Sequence, residues 1–185
     1  MKHIAFFLFL VIASGVSLEA QGMRYPDVER GSRAPDFSLP YATRDSLAFE
    51  ELSLSSFAGV RNVILAFYPA DWSGGCTREV CTFRDNFDTL KSLDAEILAI
   101  SGDYPYSHHA WAKQHNLPFK LLSDHMHRVA ASYHSYNRST GYNKRTVYLV
   151  DMEGNIAYRD LEYSTKDLTS FEKLRDALNN INQPE

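Results

Sequence analysis

The two cysteines of this chain, Cys76 and Cys81, are the residues best suited to do chemistry. Two cysteines five positions apart cannot build a disulfide framework, and such a pair indicates redox chemistry or a metal. Cys76 follows two glycines and begins a stretch with apolar residues at helical spacing, so its thiol is expected at a helix N-terminus. The free N–H groups and the positive dipole end at that position stabilise a thiolate. The sequence therefore predicts that Cys76 is a nucleophilic thiol rather than a small packing residue.

Cys81 is the only other thiol in the chain that could capture an oxidised Cys76. On a regular helix five residues rise about 7.5 Å and turn about 500°, which separates the two Cα atoms by about 8.7 Å. A disulfide needs less than about 7 Å, so the first turns would have to unwind. The glycines before Cys76 and the β-branched Thr77 and Val80 favour unwinding. Two interpretations stay open: Cys81 resolves Cys76, or Cys81 only packs and an external thiol resolves Cys76.

A central strand is predicted immediately before this pair. Residues 62–68, NVILAFY, form a continuous apolar run that is typical of a strand covered on both faces, and Pro69 ends it. Across 76–93 the apolar residues recur at helical spacing with charges between them, which predicts one amphipathic helix. The reactive thiol is thus expected where the central strand gives way to a helix.

The rest of the chain alternates between strand and helix patterns. Short pieces within 34–40 and 47–50 are predicted as edge strands. The further predicted elements are strands at 96–101 and 119–122, helices at 107–115 and 127–134, a hairpin of 146–151 with 156–159, and a closing helix at 166–181. This order predicts the α/β class, with a mixed central β-sheet flanked by helices, in one domain over 34–183.

Composition and the N-terminal segment bear on partners and location. With 19 Lys and Arg against 23 Asp and Glu, the net charge of -4 provides no cationic field for nucleic acid, so no nucleic-acid partner is expected. Lys2 and the apolar run 4–18 predict a signal peptide over 1–20, followed by a polar lead over 21–33. An exported protein, periplasmic or secreted, is expected. The alternative is an uncleaved anchor, which would then be the only membrane contact.

The segment around Cys76 resembles the active-site signature of the peroxiredoxins: Pro, three residues, Thr or Ser, two residues, Cys. Here it consists of Pro69, Ser73 and Cys76. The resemblance continues through APDFSLP, ISGD, FKLLSD and KRTVYLVDMEGNI, and so covers most of the chain after the predicted signal peptide. Gly74-Gly75 stands where the bacterioferritin-comigratory type has Pro-Gly. DWSGGC and SHHAWAKQH are similar to the alkyl hydroperoxide reductase E type.

This resemblance implies a thioredoxin-like fold and a thiol-dependent peroxidase that reduces hydrogen peroxide or organic hydroperoxides. Carried over by position, Cys76 would be the peroxidatic thiol that becomes a sulfenic acid. Ser73 would orient the peroxide, and Pro69 would shield the site from water. Arg145 would place its guanidinium beside the thiolate, and Glu79 would orient Arg145.

Partners and accessory residues follow from the same resemblance. It implies a peroxide substrate and a thioredoxin-like or other thiol reductant, and it leaves room for a homodimer. No metal and no other cofactor are expected, since a thiolate is itself a two-electron reductant. The spacing of Cys81 matches the resolving cysteine of the bacterioferritin-comigratory type. Trp72, next to Ser73, is interpreted as a cover of the site or as a dimer contact.

Two rival functions share the thioredoxin-like fold. A thiol-disulfide oxidoreductase would need Cys-x-x-Cys, and a copper-binding redox module would need Cys-x-x-x-Cys, whereas four residues separate the cysteines here. Six histidines in the middle third of the chain include the pair His125-x-His127, which has a spacing that a transition metal can use. We interpret these histidines mainly as solvated helix faces.

Overall fold

The computed structural model describes residue 25 and residues 27–182. Its strands are β1 (Ser38–Ala42), β2 (Leu47–Ser53), β3 (Asn62–Phe67), β4 (Ala95–Ser101), β5 (Lys120–Ser123), β6 (Tyr136–Asn137), β7 (Tyr142–Asn143), β8 (Thr146–Val150) and β9 (Ile156–Asp160). Its α-helices are α1 (Gly74–Asp85), α2 (Phe87–Ser92), α3 (Pro105–His115), α4 (Arg128–Ser132) and α5 (Thr169–Ile181). The predicted signal peptide over 1–20 lies outside the described residues.

The main sheet has the strand order β2-β1-β5-β4-β3-β8-β9. The pairs β3–β4 and β4–β5 are parallel, while β8, β9, β1 and β2 pair antiparallel with their neighbours. Strands β6 and β7 form a separate antiparallel pair. The predicted α/β class with a mixed central sheet is confirmed.

Both faces of the sheet are covered, and β3, β4 and β8 are buried at nearly every position. On one face alternate strand residues pack against α1, α2, α3 and α5, with Phe83 and Trp111 among the fully buried side chains. On the other face they pack against α4, the 3-10 turn Leu54–Phe57 and the segment before β1. The sheet therefore lies at the centre of the fold, between two layers of packed side chains, and it fixes where the connecting loops begin and end.

The pairing of β3 with β8 determines which residues meet at one edge of the sheet. The two strands are antiparallel, and Phe67, the last residue of β3, lies opposite Thr146, the first residue of β8. The chain leaving β3 therefore starts beside the chain entering β8. As a result, Arg145 is brought next to the segment that leads into α1.

The predicted helix over 76–93 is wrong in one respect, since it is two helices. α1 ends at Asp85 and α2 begins at Phe87. At the break the Thr82 carbonyl accepts two hydrogen bonds from Asn86, one from its backbone N–H at 3.3 Å and one from its side-chain amide at 2.9 Å. Apolar spacing persists across the break, which is why periodicity alone did not reveal it.

The edge prediction was right for β2 and wrong for β1, which lies between β2 and β5. Pro40 has no N–H to give to a neighbouring strand. The register shifts between Pro40 and Tyr41, and β5 pairs only with Tyr41 and Ala42. The bulge thus lets an internal strand contain a proline.

The described end of the polar lead packs on the domain. Val28 is only 2% exposed and belongs to the core, while the Gly31 N–H donates to the Ile156 carbonyl at 2.8 Å. The Ile156 N–H in turn donates to the Ser32 carbonyl at 2.9 Å. Residues 27–33 therefore extend the folded body before position 34. Within the described part of the chain, no helix combines the length and apolar character needed to cross a bilayer.

We expect Leu98→Ala to lower the free energy of unfolding by roughly 3 kcal/mol, since it opens a cavity beside β4. Leu98 is 0% exposed. The matched control is Leu168→Ala, because Leu168 is 54% exposed and its truncation should change stability by less than about 0.5 kcal/mol. Urea denaturation measures both. Equal effects of the two substitutions would contradict the core described above.

Candidate active site

Cys76 lies in the first turn of α1, as predicted. Ser73 is the N-cap residue, and its side-chain oxygen accepts a hydrogen bond from the Cys76 N–H at 3.3 Å. The Ser73 carbonyl accepts from the Thr77 N–H at 2.8 Å. Cys76 is 0% exposed. The sulfur is thus held at the positive end of a capped helix and away from bulk water.

Arg145 joins Cys76 to Glu79. One guanidinium nitrogen, Nη2, donates to Cys76 Sγ at 3.4 Å, and Nη1 donates to Glu79 Oε2. Cys76 and Glu79 are three residues apart, so they share one face of α1. The planar guanidinium reaches both groups at once, which an ammonium group could not do with the same geometry.

The electrostatics of this bridge depend on burial. Glu79 is 1% exposed, and its second oxygen, Oε1, has no hydrogen-bond partner in the described structure. Burial raises the pKa of Glu79 to about 7, although Arg145 pulls it down. Burial disfavours the charge on Arg145, but Glu79 and Cys76 favour it, and the net effect is a raised pKa of Arg145. Arg145 therefore remains a cation beside the sulfur.

Gly75 has a role that its position before Cys76 did not reveal. A Cβ atom on Gly75 would lie 3.1 Å from Arg145 Nη2, closer than ordinary contacts allow. The absence of a side chain thus lets the guanidinium lie against the first turn of α1. The sequence shows that position 75 is a glycine, but only the structure shows that the Arg145 guanidinium lies against it.

Pro69 and Trp72 lie on the segment 69–73, which connects β3 to α1. Pro69 is half-buried, two residues after the end of β3. Trp72 has a φ of 63° and is 50% exposed, and its indole N–H donates to Ser107 Oγ on α3 at 3.0 Å. Trp72 is thus tied to α3. Its interpretation as a cover or a dimer contact stays a prediction.

Cys81 lies further along α1 and is half-buried. Both thiols are free, and α1 is helical over both positions. The separation of about 8.7 Å expected for a regular helix therefore applies to the reduced protein. Beyond the cysteines, the end of α1 is fastened to α3, because Arg84 Nη1 donates to the His115 carbonyl at 2.9 Å.

A buried polar cluster on the other side of segment 69–73 was missed from the sequence. Asp71 Oδ2 lies 3.0 Å from His108 Nδ1, and both side chains are 0% exposed. The interpretation of the histidines as solvated faces is therefore wrong for His108. Its position after Ser107 on α3 offered no local signal, because its partner lies 37 residues earlier. In the described ranges, no three His, Cys, Asp or Glu side chains converge to hold a metal.

Comparisons with known proteins agree with this geometry. The sequence model of the AhpC/TSA family matches residues 30–159. A chloroplastic peroxiredoxin Q of Triticum aestivum is 39% identical over 132 residues, which are 71% of this chain and 58% of that protein. Peroxiredoxin Bcp of Bacillus subtilis is 33% identical over 146 residues, 76% of this chain and 89% of that protein. This chain thus spans little more than half of the plant relative.

The crystal structure of peroxidoxin BcpB from Mycobacterium tuberculosis has the same fold, with a TM-score of 0.73 and 26% identity over 84% of this chain and 99% of that one. The mixed sheet flanked by helices, together with this match, shows the thioredoxin-like fold that was predicted. The chain belongs to the AhpC/TSA family, and the resemblance to the peroxiredoxins is confirmed.

Glu79 gives a prediction about pH. Its folded pKa of about 7 lies above the ordinary 4.5, so between these values the folded chain holds a proton that the unfolded chain has released. The wild type should lose stability relative to Glu79→Gln as pH rises through this window, by up to about 1.4 kcal/mol per pH unit. Above a pH of about 7 the difference in the free energy of unfolding between the two proteins should no longer change with pH. Urea denaturation of both proteins across this range measures it, and a wild type that gains stability relative to Glu79→Gln as pH rises would contradict it.

Proposed function

We propose that this chain is a thiol-dependent peroxidase that reduces hydrogen peroxide or organic hydroperoxides through Cys76. The observation that carries the proposal is the guanidinium of Arg145, which contacts Cys76 Sγ in the capped first turn of α1 and Glu79 one turn further along. A buried sulfur beside a fixed cation is suited to a reaction in which negative charge moves from sulfur to a departing oxygen. The names of the relatives support the same chemistry.

In the first step the Cys76 thiolate attacks the terminal oxygen of the peroxide. An S–O bond forms and the O–O bond breaks, so Cys76 is oxidised by two electrons to a sulfenic acid. The departing alkoxide or hydroxide takes a proton and leaves as an alcohol or water. Arg145 stabilises the charge as it moves, which favours the transition state over the bound peroxide. Ser73 would orient the peroxide.

In the second step we propose that Cys81 resolves the sulfenic acid. The Cys81 thiolate attacks Cys76 Sγ, an S–S bond forms, and the S–O bond breaks to release water after protonation. Since Cys76 is 0% exposed and α1 is intact, the first turns must unwind before the two sulfurs can meet. An external thiol, thioredoxin-like or other, would then reduce the disulfide and complete the cycle.

Location and assembly are also proposals. The residues before position 21 support export to a periplasmic or extracellular space, where a thiol reductant has to be supplied. A homodimer remains a prediction, and Trp72 is the exposed aromatic residue nearest in sequence to the proposed catalytic Ser73.

Stopped-flow measurement of peroxide consumption by the reduced protein tests the proposed activity. We expect Cys76→Ser to abolish it, because a hydroxyl is similar in size but too basic to act as the nucleophile. The matched control is Cys81→Ser, the same substitution on the same helix, which should retain a fast first oxidation. If Cys76→Ser keeps more than a few per cent of the rate, the chemistry lies elsewhere.

The resolving step is tested by mass spectrometry after peroxide treatment. Wild-type protein should form an internal disulfide, whereas Cys81→Ser should accumulate sulfenic and then sulfinic acid on Cys76. Cys81→Ala should behave in the same way, since only the thiol matters. Wild-type protein that stops at the sulfenic acid would show that Cys81 packs and that an external thiol resolves Cys76.

Arg145→Lys should slow the oxidation of Cys76 by roughly a hundredfold to a thousandfold, the usual effect of losing one preorganised donor. A change in thiolate fraction alone accounts for only about thirtyfold. Thiolate absorbance, measured beside the stopped-flow rate, separates the two causes. Arg175→Lys is the control, because Arg175 lies on α5 and pairs with Asp176. A near wild-type rate for Arg145→Lys would argue against the proposed role.

A further inference from the structure

Asp71 is the centre of a buried hydrogen-bond network that holds the segment 69–73. Its Oδ1 accepts from the Tyr68 hydroxyl at 2.8 Å. Its Oδ2 accepts from the Ser107 hydroxyl at 2.7 Å and lies 3.0 Å from His108 Nδ1. The carboxylate thus connects the end of β3 to two residues of α3. None of these contacts belongs to the bridge of Arg145 with Cys76 and Glu79.

The backbone of Asp71 is held as well. Its N–H donates to Asp103 Oδ2 at 2.9 Å, and the same oxygen accepts from the Ser101 hydroxyl at 2.7 Å. Ser101 is the last residue of β4. The segment 69–73 is therefore fastened to the carboxyl end of β4 and to α3, and both are packed parts of the fold.

His108 contacts this network and β5 through its two ring nitrogens. Nδ1 faces the Asp71 carboxylate, and Nε2 lies 3.2 Å from the Leu122 carbonyl. The Tyr68 hydroxyl lies 3.4 Å from Nδ1. Burial, followed by the charge of Asp71, raises the pKa of Tyr68 well above its ordinary value, so this phenol stays a donor.

Ser107 connects the network to Trp72. The Ser107 hydroxyl donates to Asp71 and accepts from the Trp72 indole N–H at 3.0 Å. Trp72 has a φ of 63°, and a side chain this large keeps a left-handed backbone only where its surroundings hold it. The next residue is Ser73, which caps α1 and bonds the Cys76 N–H. One hydroxyl therefore helps to fix the backbone that presents Ser73.

We propose that Asp71, Ser107 and His108 are positioning residues for the oxidation of Cys76. They hold the segment 69–73 in the one arrangement that keeps Ser73 on the N-terminus of α1. This proposal rests on the proposed peroxidase function. It differs from a purely structural role, in which the network would add stability and leave the reaction rate of the folded protein unchanged.

The test uses Trp72 as a spectroscopic reporter. The chain contains only two tryptophans, Trp72 and Trp111. Trp111→Phe leaves Trp72 as the only one and removes a buried indole N–H that has no partner in the described structure. In this parent protein, Ser107→Ala deletes the hydroxyl that joins Trp72 to Asp71, and Ser107→Thr retains a hydroxyl. Ser132→Ala is the matched control, because Ser132 is also a half-buried serine in a helix and its hydroxyl donates to the nearby Val129 carbonyl.

We expect Ser107→Ala to shift the emission of Trp72 and to lower the rate of Cys76 oxidation by about tenfold, as for a lost hydrogen bond to a charged group. Ser107→Thr should restore both, and Ser132→Ala should change neither. The proposal is overturned if folded Ser107→Ala oxidises within about twofold of the parent rate, less than one neutral hydrogen bond is worth. An equal loss of rate in Ser132→Ala would also overturn it, as would a failure of Ser107→Thr to restore the rate.

Asp71→Asn provides an independent variant, with circular dichroism and thermal unfolding to establish that it folds. It keeps the shape of the side chain but replaces the carboxylate oxygens that face Ser107 and His108 with an amide, and it should slow the same step. Folded Asp71→Asn that oxidises at the parent rate would refute the positioning role. A wild-type protein that consumes no peroxide would instead refute the proposed function, so the two failures are distinguishable.

Discussion

The guanidinium of Arg145 makes the rest of the site possible, because it compensates two groups that are costly to bury on their own. Glu79 and Cys76 point from one face of α1 into a region almost closed to water. Without a cation between them, a charge on either group would lack compensation. Arg145 can serve both only because the register of β8 against β3 fixes where its backbone lies. A shift by one residue would direct the side chain to the opposite face of the sheet.

Different parts of the fold therefore supply different components of the site. α1 supplies the sulfur, the carboxyl group and the helix dipole, and the sheet supplies the cation. α3, through Ser107 and His108, fixes the loop between them. This arrangement includes an unpaired Glu79 oxygen and a left-handed Trp72, both unfavourable for stability. Two unfavourable features close to one thiol are typical of a site whose residues are arranged for reaction as well as for stability.

Much of this organisation was predictable from local patterns. The apolar runs of β3, β4 and β8, and the position of Cys76 after two glycines, follow from short stretches of sequence. Arg145 and Glu79 were predicted only through the family resemblance, since no local pattern connects positions 66 residues apart. The pair of Asp71 with His108 was missed for the same reason. The break at Asn86 was missed because apolar periodicity continues through it from α1 into α2.

The distance along the chain between Cys76 and Arg145, 69 residues, has a consequence for folding. The guanidinium reaches the sulfur only after β8 has paired with β3, a non-local contact whose loop closure is slow compared with helix formation. A chain that has formed α1 but not the β3–β8 pair possesses the thiol and lacks its cation. In such a chain Cys76 does not yet have the guanidinium that lies 3.4 Å from its sulfur in the folded protein. Completion of the sheet therefore coincides with the change from an unprotected thiol to an organised site.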